Sequence, residues 1–113
     1  RQVGIIAAGA LYALENNLDR IVDDHRRVRK LAVNLAESGL CELDPDRVLT
    51  NILVINLKSS ISEDRFCAEL KSRGLLTVPF GRGKIRAVAH LDIGEDDIER
   101  ASGIMIDVAR LYT

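Results

Sequence analysis

Leu75-Leu76-Thr77-Val78-Pro79-Phe80-Gly81-Arg82-Gly83-Lys84-Ile85-Arg86-Ala87-Val88-Ala89-His90 is the stretch on which the fold turns. Leu75 to Val78 reads as a strand stopped by Pro79, and Lys84 to His90 as a second strand with period-two alternation. Gly81-Arg82-Gly83 makes a tight connection, and strands joined that way pair antiparallel, so a hairpin over 75–78 and 84–89 is expected. Gly81-Arg82-Gly83 is only a G-x-G. It precedes a strand where a phosphate cradle would open a helix, so it reads as turn chemistry.

Outward from the hairpin the chain alternates helices with one more strand. Ile52-Leu53-Val54-Ile55-Asn56-Leu57 is short, apolar and β-branched, the pattern of a strand whose core face is covered. Ser60-Ile61-Ser62-Glu63 has the form of a capping box, which starts a helix over 61–73 with Phe66, Cys67 and Leu70 inward and Gly74 past its end. A last helix runs from Gly94 to Leu111, apolar at Ile98, Ala101, Ile104, Met105, Val108 and Leu111. Glu95, Asp96 and Asp97 in its first turn complement the helix dipole.

On the N-terminal side, Leu18, Ile21, Val22, His25, Val28, Leu31, Ala32 and Leu35 recur at three and four residues and mark one helical face. Asp23, Asp24, Arg26, Arg27, Arg29 and Lys30 between them read as a solvated face with local ion pairs. Ser38-Gly39 ends that helix, and Cys41 to Asn51 is irregular around an Asp44-Pro45-Asp46 turn. The sum is an α+β domain: a short three-stranded antiparallel sheet with helices on one face.

Residues 2–16 are different. They form a helix apolar on nearly every side, with Ala7, Ala8, Gly9, Ala10 and Ala13 allowing close approach, and such a helix is normally buried on several sides. Domain boundaries fall in polar linkers, whereas this chain opens on Arg1 and enters the apolar run at once. The expected division is residues 1–16 as a helix that docks on protein mass outside the chain, and 17–113 as a small α+β domain, the whole being a fragment.

Composition narrows the function classes. The 113 residues carry 16 basic and 17 acidic side chains, a net charge of −1, with 47% hydrophobic residues. That balance argues against nucleic acid or an anionic membrane as partner, since both need a basic face. Tyr12, Phe66, Phe80 and Tyr112 are the aromatics, too few for a stacking platform along single-stranded nucleic acid. No apolar run approaches a membrane span and no secretory signal is present, so a cytoplasmic location is expected. Two cysteines, Cys41 and Cys67, make no disulfide framework. Cys67 beside Phe66, Ala68 and Leu70 reads as a small buried hydrophobe.

Few residues are candidates for chemistry. His25 and His90 share no metal-ligand spacing with each other or with the cysteines, so no zinc site is expected. His25, next to Asp23, Asp24 and Arg29, reads as a structural hydrogen-bonding residue at the edge of the core. Arg86 is the residue of interest. Alternation puts Ile85, Ala87 and Ala89 on one face of the strand and Arg86, Val88 and His90 on the other. From the pattern, Arg86 is either a surface residue with its stem packed down or a planar fork awaiting a carboxylate, whose two oxygens match guanidinium geometry. His90-Leu91-Asp92 adds an ionisable pair at the same sheet end.

Three stretches bear a resemblance to a known family: Arg1-Gln2-Val3-Gly4-Ile5-Ile6-Ala7-Ala8-Gly9-Ala10-Leu11-Tyr12-Ala13-Leu14, then Leu18-Asp19-Arg20 with Asp23-Asp24-His25, and Ile85-Arg86-Ala87-Val88-Ala89-His90-Leu91-Asp92-Ile93. In order and spacing they resemble the last third of the L-threonine aldolases, with Asn51 to Leu57 fitting the intervening strand. The resemblance implies a pyridoxal-phosphate enzyme of the aspartate-aminotransferase fold type that cleaves L-threonine, L-allo-threonine and related β-hydroxy amino acids to glycine and an aldehyde. It implies that residues 1–16 lead out of a large domain and that 17–113 form the small C-terminal domain of a homo-oligomer, a dimer or tetramer. It places Arg86 on the substrate α-carboxylate. Arg1 falls in the family's glycine-rich segment near the cofactor, where it would assist the cofactor phosphate. Two positions depart from the family: Ala89 stands where a Thr is usual, and Gly94 where a Ser or Thr usually caps the helix.

None of Lys30, Lys58, Lys71 and Lys84 sits in the Ser-Lys-Gly context of the family's Schiff-base lysine, so the chain contains no catalytic residue by this reading and is expected to be inactive alone. The alternatives are the same domain of another enzyme of this fold type, a β-eliminating lyase or aminotransferase, and a stand-alone regulatory domain that binds an amino acid.

Overall fold

The computed structural model describes residues 1–58 and 61–113. Among the described residues the elements run α1 (Val3–Asn16), α2 (Ile21–Glu37), a short 3-10 turn (Pro45–Arg47), β1 (Ile52–Asn56), α3 (Glu63–Ser72), β2 (Val78–Pro79), β3 (Lys84–Val88) and α4 (Glu95–Arg110). The sheet is antiparallel throughout in the order β1-β3-β2, so β3 is the central strand. The α+β class and the hairpin agree with the sequence reading.

Register assigns the two faces of the sheet. Leu53 lies opposite Ala87 and Ile55 opposite Ile85. Leu53, Ile55 and Ile85 are buried, together with Val28, Leu31 and Leu35 of α2, Phe66 and Leu70 of α3, and Met105 and Val108 of α4. Each such side chain withdrawn from water contributes about 1.5–3 kcal/mol, so helices on one face suffice to hold the sheet. The other face carries the rows Val54–Arg86–Val78 and Ile52–Val88. No helix covers it among the described residues, and Ile52, Val78 and Val88 are exposed there.

Several element bounds differ from expectation for local reasons. The segment expected as a strand over 75–78 pairs only at Val78–Pro79, with Val78 opposite Arg86 and Pro79 opposite Ile85. Leu75 instead finishes α3, its N–H donating to the Leu70 carbonyl at 3.0 Å. Pro79 is itself the last residue of β2, one position beyond the expected stop. The Phe80 N–H donates to the Lys84 carbonyl at 2.8 Å, so the alternate position, Pro79, turns its nitrogen away from β3, which an edge strand tolerates. Gly81 and Gly83 hold positive φ of 82° and 69° in the connection, a region that costs a side chain dearly and glycine nothing.

The third strand ends at Val88 and not at His90, although the Ala89 N–H still donates to the Asn51 carbonyl at 2.9 Å and the Asn51 amide returns a bond to the Ala89 carbonyl at 2.8 Å. Helix α3 starts at Glu63, with Ser62 as its N-cap and no side-chain capping bond. The capping box expected from Ser60 lies partly outside the described residues. At Gly94 the cap is half made: the Asp97 carboxylate accepts from the Gly94 N–H at 2.8 Å, while glycine has no side chain to return the bond.

The apolar face expected on α2 is buried only in its second half. Val28, Leu31, Ala32 and Leu35 enter the core, but Leu18, Ile21 and Val22 stay exposed. The buried residue in the first turn is Asp24, held by Arg20 at 2.9 Å and by Arg27 at 3.7 Å. The charges of α2 are therefore not purely local: Arg26 and Arg27 both reach Glu95 at the start of α4, at 2.9 and 3.1 Å, Arg29 reaches Asp46, and Lys30 reaches Glu99. Leu111, expected on the inner face of α4, is exposed because it lies past the end of the helix.

Helix α1 buries nothing, and Val3, Ile5 and Ile6 are 72–78% exposed. Its 14 residues make a rod about 21 Å long. The radius of gyration is 15.9 Å and the long axis 51 Å, against about 13 Å for the radius of a compact chain of this length.

Candidate functional site

The site is built on the outer face of β3. Three arginines are half-buried: Arg20, Arg27 and Arg86. Arg20 has Asp24, and Arg27 has Asp24 and Glu95. Arg86 has no carboxylate partner among the described residues. Its Nε is sealed from solvent without a hydrogen-bond partner among the described residues, and leaving a buried donor unpaired costs about 1–3 kcal/mol, more for a charged group.

The neighbours of Arg86 explain why it stays unpaired. The sheet places it between Val54 and Val78, neither of which offers a side-chain acceptor. Its guanidinium carbon lies 5.3 Å from the centroid of the Phe80 ring, within the range of a cation–π contact. A central-strand cation with apolar walls and an aromatic floor is an anion-seeking group, and a carboxylate is the anion whose geometry matches its fork. The sequence left a packed-down surface stem and a carboxylate fork open, and the half-burial of Arg86 with its sealed Nε is compatible with both.

The other residues singled out from the sequence gather less. His90 and Asp92 lie beyond the end of β3, both exposed, with the Asp92 N–H donating to His90 Nδ1 at 3.3 Å. They border a cleft of about 340 Å³ whose floor includes Leu53, Ile98, Ala101 and Met105 and whose rim includes Leu76 and Arg100. Arg1 stands exposed ahead of α1. His25 is half-buried on α2, with no hydrogen bond from its ring among the described residues. Both cysteines are free: Cys67 is buried and receives the Thr77 hydroxyl at 3.3 Å, and burial pushes the Cys41 thiol above its ordinary value. No group of three His, Cys, Asp or Glu placed to hold a metal occurs among the described residues. Among them, too, no helix is long and apolar enough to cross a membrane.

Lysine chemistry is weakly provided. A lysine that reacts as an amine needs its pKa lowered by burial or neighbouring cations. Lys30 is shifted the other way, held above its ordinary value by its hydrogen bond to Glu99. Lys58, Lys71 and Lys84 are exposed. Phe80 is the residue that reading the sequence missed. It lies two positions beyond Val78 in the hairpin, hence on the face of Arg86, and that spacing was a signal available in the sequence.

No protein-family model matches the chain. Individual proteins do. Over 101 residues, 88% of this chain, it is 32% identical to "Probable low-specificity L-threonine aldolase 2" of Arabidopsis thaliana. Over 103 residues, 87% of the chain, it is 32% identical to "Low specificity L-threonine aldolase" of Escherichia coli K12. A second Arabidopsis thaliana protein, "Low-specificity L-threonine aldolase 1", is 28% identical over 100 residues. The homologues of this chain are L-threonine aldolases. The chain spans 28% of the length of each of these aldolases. The resemblance drawn from the Arg1, Leu18 and Ile85 stretches thus agrees with the aldolase relatives.

Proposed function

We propose that this chain is the small C-terminal part of a pyridoxal-phosphate lyase of the aspartate-aminotransferase fold type, which cleaves L-threonine or L-allo-threonine to glycine and acetaldehyde. Its aldolase relatives support the reaction class. The observation that carries the site is Arg86: half-buried on the central strand, sealed at Nε and without a carboxylate of its own. Such a cation fits the α-carboxylate of an amino-acid substrate.

Pyridoxal phosphate, when bound, supplies the electron sink for breaking the carbon–carbon bond. Arg86 contributes orientation. Two parallel charge-assisted hydrogen bonds from its terminal nitrogens fix the carboxylate plane. The lysines of this chain do not fit cofactor attachment, so the attaching lysine and the groups that move protons belong to the remainder of the full-length enzyme. By this reading the chain is inactive alone. Arg1, exposed ahead of α1, would help hold the cofactor phosphate, and α1 would pack on the large domain. The full-length enzyme would be a cytoplasmic homo-oligomer.

Arg86→Ala in the full-length protein is expected to raise the KM for L-threonine about ten- to hundredfold, the worth of hydrogen bonds to a charged group. The cofactor's visible absorbance should persist. Unchanged kinetics would overturn the role of Arg86. Products other than glycine and acetaldehyde from L-threonine would move the protein to a β-eliminating lyase or an aminotransferase.

A further inference from the structure

We infer that Phe80 is the positioning residue for Arg86: its ring sets the plane in which the guanidinium meets a carboxylate. The inference rests on the carboxylate-binding reading of Arg86 and extends it to a residue with no bond to substrate.

Arginine on a flexible stem needs something to fix its plane before bidentate binding becomes selective. The usual device is a hydrogen bond from Nε to a carboxylate or carbonyl. Among the described residues Nε has no such bond, and the residues directly across from Arg86 on both sides, Val54 and Val78, supply apolar walls only. What remains is the aromatic face 5.3 Å from the guanidinium carbon. A ring quadrupole attracts the cation at this distance, and a contact made through the guanidinium face leaves the fork's edge to the ligand.

The backbone places that ring deliberately. The Phe80 N–H donates to the Lys84 carbonyl at 2.8 Å, so Phe80 sits opposite Lys84 and diagonal to Arg86. Diagonal cross-strand neighbours are within reach when one is aromatic and the other long. Gly81 and Gly83, with φ of 82° and 69°, hold the closure that keeps Phe80 in this register. The ring is 46% exposed, so the core gives no account of it.

The test compares two competitive ligands of the full-length enzyme, L-serine and its decarboxylated counterpart ethanolamine, in Phe80→Leu, Phe80→Tyr and Arg86→Ala. Phe80→Leu keeps apolar volume and removes the ring. It is expected to weaken L-serine about three- to tenfold, as loss of a partly exposed cation–π contact does, to leave ethanolamine unchanged, and to raise the KM for L-threonine with kcat retained. Phe80→Tyr restores L-serine binding. Equal weakening of both ligands in Phe80→Leu would assign a general structural role and overturn the inference. So would a silent Phe80→Leu beside an Arg86→Ala that does weaken L-serine. Were Arg86→Ala itself to leave L-serine binding intact, the carboxylate reading would fall first and the inference with it.

Discussion

The two faces of β3 are made from nearly the same kinds of residue and behave oppositely. Ile85 and Ala89 are on the helix-covered side of the sheet and are buried, while Val88, on the other face, is 46% exposed. Arg86 shares the Val88 face. On the inner face apolar side chains hold the fold together. On the outer face similar side chains, Ile52, Val54 and Val78, adjoin the half-buried Arg86, with the exposed Lys84 two positions along the strand. A face whose apolar residues stay exposed, and whose Arg86 has no carboxylate partner among the described residues, contributes little to the stability of the chain that carries it.

Substitutions on the two faces should separate these roles. The largest effect belongs to the inner side: Phe66→Ala, in the core between α3 and the sheet, should destabilise the chain by about 3–5 kcal/mol in urea unfolding. A smaller loss is expected at the charged seam between α2 and α4. Asp24→Ala leaves Arg20 without its carboxylate and Arg27 with Glu95 alone, for about 1–2 kcal/mol given how partial the burial of these guanidinium groups is. On the outer face, Val88→Ser should change the unfolding free energy of the 113-residue chain by less than about 0.5 kcal/mol. A loss at Val88 comparable to that at Phe66 would break the contrast, since it would mean the outer face is structural after all.

Much of this contrast was legible in the sequence because period-two alternation is a strong signal. Ile85, Ala87 and Ala89 were separable from Arg86, Val88 and His90 by counting alone, and the glycines at 81 and 83 marked the hairpin. Boundaries were less legible. Leu75 and Leu76 look like strand, but the preceding helix ends by drawing the Leu75 N–H back to Leu70, a choice made by hydrogen bonding that composition does not record.

The first turn of α2 misled for a different reason. Leu18, Ile21 and Val22 carry the apolar period, yet this chain offers no surface for them, and Asp24 turns inward to meet two arginines instead. The site was half legible. Arg86 stood out as a charge in a short apolar strand, but its lack of a partner depends on which residues the register sets beside it. Phe80 required the hairpin to be built before its diagonal relation to Arg86 had meaning.

Pro79 has a consequence for how copies of this domain meet. A strand edge with free N–H and carbonyl groups invites another strand to add to it, the route to runaway polymerisation. Here one edge of the sheet is two residues long and one of those is Pro79, which has no N–H to offer. The opposite edge, β1, is bridged by Glu42 against Asn56. The β2 margin is thereby blunted against backbone-templated addition, while on β1 the bridge covers only Asn56 at the end of the strand.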